Sequence, residues 1–362
     1  MTKKLLAAVT SSLLVATSVP ERATAHVDCV SEGSKEATFG GLVSSILSSP
    51  MDLAVLVLLG TVGAGGVAFY VRYAKRLTDI QVARSTLKSY RPYLPWMLRL
   101  SVGLPLVGAG FSGYLFSPEV AVSARIPQVV IGFLLLFGLA TRIMALLGLL
   151  MYAGTVVYAF PEALLSVEYV AGFASIIIIG AGQPSADMLL RRIAVTDGTF
   201  LSRFEGTFTP GDAVSKAGLS NRVIPPIIRV FVGGGFVYLG VTQKWLAPGP
   251  ALSVVEKYGL SSLVPISPEL WVFGVGLGEV VVGVMLIVGV FTRGAAAAAF
   301  GILTLTLFGL PDDPVLAHVT LFGIFSALLV VGGGRYSLDN HLIPDLRERF
   351  SPEESEPTVG VD

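Results

Sequence analysis

The stretch RLSVGLPLVGAGFSGYLFSP, Arg99 to Pro118, aligns without a gap with RVFVGGGFVYLGVTQKWLAP, Arg229 to Pro248. Arg99 falls on Arg229, Gly103 on Gly233, Gly110 on Gly240 and Pro118 on Pro248. Further along, GLATR ending at Arg142 matches GVFTR ending at Arg293, and GAGQPSAD ending at Asp187 matches GGGRYSLD ending at Asp339. Three matched blocks in the same order describe one module present twice. Each copy then serves as a reference for the other: positions that agree point to scaffold, and positions that differ mark where one copy has specialised.

Composition places both modules in a bilayer. The chain is 53% hydrophobic and 14% charged, with a mean hydropathy of +0.75, whereas soluble domains carry roughly 25% charged residues. Apolar runs near the length that crosses a hydrocarbon core occur at 51–71, 96–116, 127–140, 143–160, 165–183, 227–247, 269–291, 294–310 and 315–334. The expected fold is therefore all-α, a polytopic membrane helix bundle. It consists of one leading transmembrane helix (51–71), a first four-helix unit (96–187), a linker (188–226) and a second four-helix unit (227–339). Lipid is the expected partner, and the zero formal net charge gives no reason to expect nucleic acid.

The ends read differently from the spans. Lys3 and Lys4 precede an apolar stretch and Ala23-Thr24-Ala25 has the small-x-small pattern of a cleavage site, so 1–25 reads as a signal peptide and 26–50 as an exported segment. Cys29 is the only cysteine, which excludes an internal disulfide and a dithiol pair. The linker is too short for a catalytic domain, and its alternation around Thr199–Phe208 suits a hairpin or a short surface helix. The acidic tail within 340–362 has a disordered composition. Arginines and lysines crowd alternate loops, with Lys35, Arg125 and Lys257 the exceptions. Together with an odd number of spans, that bias predicts a multi-pass cell-membrane protein with its N-terminus outside and its C-terminus in the cytoplasm.

Glycine clusters at Gly63–Gly66 and Gly274–Gly278 lie inside spans, so they predict close helix packing and not a phosphate loop. The polar residues within spans carry more information, because an ionisable group costs about 2.5–3.5 kcal/mol there on insertion scales. At about 1.5 Å per residue, Lys244 lies ~27 Å, Glu279 ~21 Å and His318 ~26 Å from the basic ends of their helices, nearly one level. These three are the candidate catalytic residues. The first unit has Tyr114 opposite Lys244 and Gln128 opposite Glu279, so only the second can combine a cation with a carboxylate there. A snorkelling lysine and a capping histidine are the plain alternatives. At the basic end both units keep an arginine and an aspartate, which predicts structural ion pairs Arg99–Asp187 and Arg229–Asp339, with lipid-headgroup binding the alternative for the arginines. The three histidines have no ligand spacing, so no metal is expected.

An Arg-x-x-x-Gly helix start at Arg229, a Gly-Glu-x-x-x-Gly-x-x-x-x-x-Gly-x-x-Thr-Arg run from Gly278 to Arg293 and a closing Gly-Gly-Gly-x-x-Ser-x-Asp at 332–339 resemble the DoxX/DoxD family of small four-helix membrane proteins. The first unit departs from that pattern at Tyr114 and Gln128. The resemblance implies the membrane subunit of a quinone-coupled oxidoreductase of the thiosulfate:quinone type, with quinone as cofactor and an oxidoreductase subunit as partner. A small-solute transporter or a non-catalytic assembly factor remains open beside it.

Overall fold

A computed structural model describes residues 37–73, 77–122, 125–204, 220–264, 266–310 and 315–340. The expected signal peptide and acidic tail, with Cys29, lie outside the described residues. A short α1 (Phe39–Ser48) precedes the leading helix α2 (Pro50–Tyr73) and a surface helix α3 (Thr78–Ser89). The first unit comprises α4 (Leu94–Ser112), a ribbon of β1 (Tyr114–Leu115) and β2 (Ser117–Ala121), then α5 (Ile126–Phe137), α6 (Thr141–Tyr158) and α7 (Glu168–Ile179). Among the described linker residues are α8 (Ala186–Val195) and 3-10 turns at Leu201–Phe204 and Asn221–Val223; the rest of the stretch expected to form a hairpin or a surface helix lies outside the described residues. The second unit comprises α9 (Ile224–Tyr238), a π-helical continuation (Leu239–Leu246), α10 (Pro248–Lys257), α11 (Leu260–Leu263), α12 (Pro268–Val288), α13 (Thr292–Gly309) and α14 (Val315–Val331). Among the described residues six helical segments are long and apolar enough to cross a membrane, and α5, α7 and α14 are shorter apolar helices within the same bundles. The protein is an all-α, multi-pass membrane protein.

Within each unit the helices form a square in which each packs on the next and the fourth returns to the first. The first two cross backbone to backbone. A methyl group at Gly103 would lie 2.9 Å from the Gly132 carbonyl oxygen, and one at Gly233 would lie 2.6 Å from that of Gly283, with the reverse contacts equally tight. Helices in lipid gain little from apolar burial, so such close approach supplies the dispersion contact that holds them together. The units join by exchange: α4 packs on α14 and α9 packs on α7. One continuous core results, with Leu98, Phe173, Val232 and Phe325 contributed by those four helices.

At the basic end the two units repeat one set of hydrogen bonds. Asp187 accepts from the backbone N–H of Ala140 (2.6 Å) and Thr141 (2.9 Å), and Asp339 accepts from Phe291 (2.6 Å) and Thr292 (2.9 Å). These N–H groups open α6 and α13 and have no partner within their helices. The carboxylate satisfies them and complements the positive end of the helix. It also holds Ala140 (φ 48°) and Phe291 (φ 49°) in a left-handed conformation that non-glycine residues rarely adopt. Arg142 and Arg293 serve the opposite polarity, donating to the last carbonyls of α7 and α14, those of Ile177 and Ile178 and of Leu329 and Val330.

This geometry corrects the expected ion pairs. Arg99 donates to the carbonyls of Ala181 and Pro184, both at 2.8 Å. Arg229 donates to Leu286 and Ile287 as well as to Gly333 and Tyr336, at 2.7–2.9 Å. The arginines act on the aspartates through space while both partners are bonded to backbone. The physical reason lies in the helix ends, which bring unpaired N–H and C=O groups closer to these side chains than the side chains are to one another. Gly138 and Gly289 complete the network, with φ of +69° and +77°. A methyl at Gly289 would stand 2.5 Å from the Arg229 guanidinium, so the turn requires glycine for both conformation and space.

The units differ at the other end. In the first, α4 stops at Gly113 (φ 90°) and the ribbon turns Phe116 into the bundle, where it is 2% exposed and packed edge-on against Tyr152, Tyr169 and Phe173. In the second, the helix runs on as a π-helix, and Leu246, which aligns with Phe116, is 69% exposed. A separate apolar cluster of α1, α10 and α12 residues, including Leu42, Leu252 and Leu270, covers this end of the second unit. The leading helix contributes one buried residue among its described side chains, Asp52. Methyl groups at Gly63, Gly65 and Gly66 would meet nothing within 4 Å, so this cluster does not perform the helix packing expected of it. Its face is open because α2 stands off the bundle.

Candidate functional site

The π-helical segment sets the geometry of the second unit's far end. The Ala247 N–H bonds the Thr242 carbonyl five residues back (3.1 Å), the spacing of a π turn, and Thr242 Oγ1 donates to the Tyr238 carbonyl (2.7 Å). Such turns are uncommon and frequently found at functional sites. Here the turn directs two consecutive side chains onto one spot of α12. A methyl at Gly276 would lie 2.7 Å from Trp245 Nε1 and 2.9 Å from Lys244 Cβ. One turn closer to the basic end, Glu279 Cβ would lie 3.2 Å from a methyl at Gly240. The absence of side chains at Gly240 and Gly276 is what lets the two helices approach and brings lysine and glutamate to adjacent levels.

Glu279 Oε2 is buried and has no hydrogen-bond partner. Lys244 is the charge that acts on it, without a hydrogen bond between them. A buried carboxylate oxygen left unpaired is costly in low dielectric. It is also free to take a proton or a hydrogen bond from something that enters. Aromatic rings border the place: Trp245 stacks on Phe273 at 5.7 Å between centroids, and Phe39 of α1 lies 6.0 Å from Trp245.

The first unit fills the matching positions differently. Gln128 is buried on α5, and its Nε2 donates to the carbonyls of Leu106 (3.0 Å) and Tyr114 (3.3 Å). An amide can donate to backbone carbonyls where a carboxylate cannot. With Phe116 seated in the bundle, this end of the first unit is closed; its buried carboxyl is Glu168 at the start of α7, at no matched position and with Tyr114 in place of the lysine.

Of the three sequence candidates, the structure brings Lys244 and Glu279 together and sets His318 apart. His318 lies in the first turn of α14, which packs on α13 and on α4 of the other unit, at the corner of the bundle diagonal to α12. Axial depth alone cannot distinguish a neighbour from a diagonal. Asp52 escaped the sequence reading. It is 2% exposed, its Oδ1 accepts from the Ser267 N–H (3.4 Å) at the start of α12, and its Oδ2 is buried without a partner. In sequence it looks like any first-turn acid, and nothing local shows that its helix leans on the N-terminus of another. Among the described residues no three of His, Cys, Asp and Glu are grouped to hold a metal ion.

Comparison with known families places the second unit. The DoxX family profile matches residues 224–318, from the first turn of α9 into α14, so this part of the chain is similar to the DoxX family. The match includes Arg229, Lys244, Glu279 and Arg293. No curated protein and no solved structure matches the chain.

Proposed function

We propose that the protein is the membrane subunit of a quinone-coupled oxidoreductase, with its chemistry in the second unit at Lys244 and Glu279. The observation that carries this reading is the unpartnered Glu279 oxygen beside Lys244, in a bundle whose sister unit has a glutamine bonded to backbone at the same place. Quinone reduction takes two electrons and two protons. Glu279 would pass protons to the quinone oxygen, and Lys244 would stabilise the anionic quinol or a sulfur oxyanion donor. His318 would tune the same end of the bundle from the diagonal helix. Loops too short for a redox domain assign the electron source to a partner subunit or to the sulfur substrate itself.

The basic ends of both units would face the cytoplasm, with the N-terminus outside. With Cys29 replaced by serine, an impermeant thiol reagent added outside cells should label a cysteine at Ser262 and miss one at Ser202; the reverse pattern would invert the topology. For the activity, protein purified from its native membrane together with any subunit bound to it, and given a soluble quinone, should form quinol only when thiosulfate is present as the two-electron donor. Solute uptake by proteoliposomes without quinol formation would replace this reading with a transporter, and neither activity would leave an assembly factor.

A further inference from the structure

A groove of about 520 Å³ lies between the N-terminal hairpin and the second unit, at the end remote from Lys244 and Glu279. Its walls are apolar apart from Arg84 of α3, Arg293 of α13 and Tyr70 of α2. Helix α3 presents Ile80, Ala83, Arg84 and Leu87 to it, at the i, i+3, i+4 and i+7 spacing of one helix face. The opposite wall is the face of α2 bearing Gly63 and Gly66, where an added methyl would meet nothing.

Two guanidinium groups, those of Arg84 and Arg293, line the groove, and a third, Arg91, acts on Arg293 electrostatically. Their protein partners account for part of their bonding capacity. Arg293 uses Nε and Nη2 on the carbonyls of Leu329 and Val330, Arg91 reaches the Val331 carbonyl at 3.4 Å, and Arg84 donates through Nη2 to the Tyr70 hydroxyl. Asp339 is the carboxylate that faces Arg293, and both its oxygens are held by backbone N–H groups. Among the described residues, these arginines outnumber the one carboxylate, already filled, that faces Arg293, leaving an excess of positive charge beside an apolar slot.

We infer that this groove binds an anionic phospholipid, its phosphate between Arg84 and Arg293 and an acyl chain along the Gly63–Gly66 face of α2. Charge selects the head and the open glycine face accommodates the tail. From Gly63 to Tyr70 the helix rises ~10 Å, enough to line a substantial part of an acyl chain. The site is independent of the chemistry proposed for the other end.

The test uses the full-length protein in detergent, titrated with phosphatidylglycerol or phosphatidylcholine and read by native mass spectrometry. Wild-type protein should prefer phosphatidylglycerol. Arg84→Gln should weaken its binding about fivefold, the weight of one basic residue at an anionic lipid surface, and Arg84→Lys should retain most of it. Gly66→Leu fills the slot without changing charge and should also weaken binding. Because its added side chain enters open space, it keeps the inference falsifiable should Arg84→Gln fail to fold. Equal binding of the two lipids, or unchanged phosphatidylglycerol binding by both Arg84→Gln and Gly66→Leu, would overturn the inference. Displacement by millimolar glycerol phosphate would likewise overturn it by reducing the site to a head-group contact. A dimer broken by Gly66→Leu would assign the groove to a second copy of the chain.

Discussion

Replacing Arg229 by lysine will cost nearly as much stability as replacing it by alanine, about 6 kcal/mol in either case at the lower end for four charged hydrogen bonds. The reason is that Arg229 donates to four carbonyls, those of Leu286, Ile287, Gly333 and Tyr336, and hydrogen bonds to charged groups contribute about 1.5–3 kcal/mol each. An ammonium on a flexible stem cannot span the two loops that a planar five-donor fork joins. A simple ion pair with Asp339 predicts the opposite, with lysine retaining most of the stability. The corresponding Arg99→Lys change should cost about half as much, because Arg99 makes two such bonds and its Nε is buried without a partner. Unfolding midpoints in mixed micelles for the three variants would decide. Full rescue by Arg229→Lys would return the weight to the ion pair.

Glu279→Gln should abolish quinone reduction, or any ligand-dependent stabilisation, by a factor of about 10²–10⁴, the range associated with losing a general acid–base group. Folding should be nearly unchanged. Glu279 Oε2 has no hydrogen bond to lose, and at the matched position the bundle holds Gln128, whose Nε2 bonds backbone carbonyls while its Oε1 is likewise buried without a partner. Lys244→Tyr should behave alike, by the precedent of Tyr114. If Lys244 and Glu279 were instead a structural pair, each single change would strand a buried charge at roughly 3–5 kcal/mol and the double change would recover it. Thermal midpoints and quinone binding for the two single variants and the double variant separate these cases. Stability lost with binding retained would reduce the pair to scaffold.

Much of this architecture is legible in the chain because bilayers permit so little else. Backbone groups in hydrocarbon must be satisfied within helices, so the apolar runs locate the spans before any packing is known. Matched glycines at 103 and 233 mark the helix crossings, since contact between backbones needs no more than the absence of side chains. Matched arginines and aspartates likewise flag the basic end as shared scaffold. Composition thus locates the long apolar helices and their order, but not the short helices α1, α3, α8, α10 and α11 between them, and the contrast of Glu279 with Gln128 and of Lys244 with Tyr114 directs attention to the second unit.

Which groups meet was decided in three dimensions. Arg229 and Asp339 look like partners in sequence, yet the ends of α12, α13 and α14 supply nearer carbonyls and N–H groups and divert both. Phe116 and Leu246 hold matched places, but one plugs its bundle and the other points away, because α4 ends at Gly113 while α9 continues as a π-helix. His318 shares an axial level with Glu279 and stands across a diagonal from it, and Asp52 is buried by a helix more than 200 residues away in the chain. Sequence supplies periodicity and position along each helix, which are one-dimensional quantities. The rotation of each helix about its axis, and the neighbour it turns toward, follow from side-chain packing among all the helices at once, and only the tertiary structure contains them.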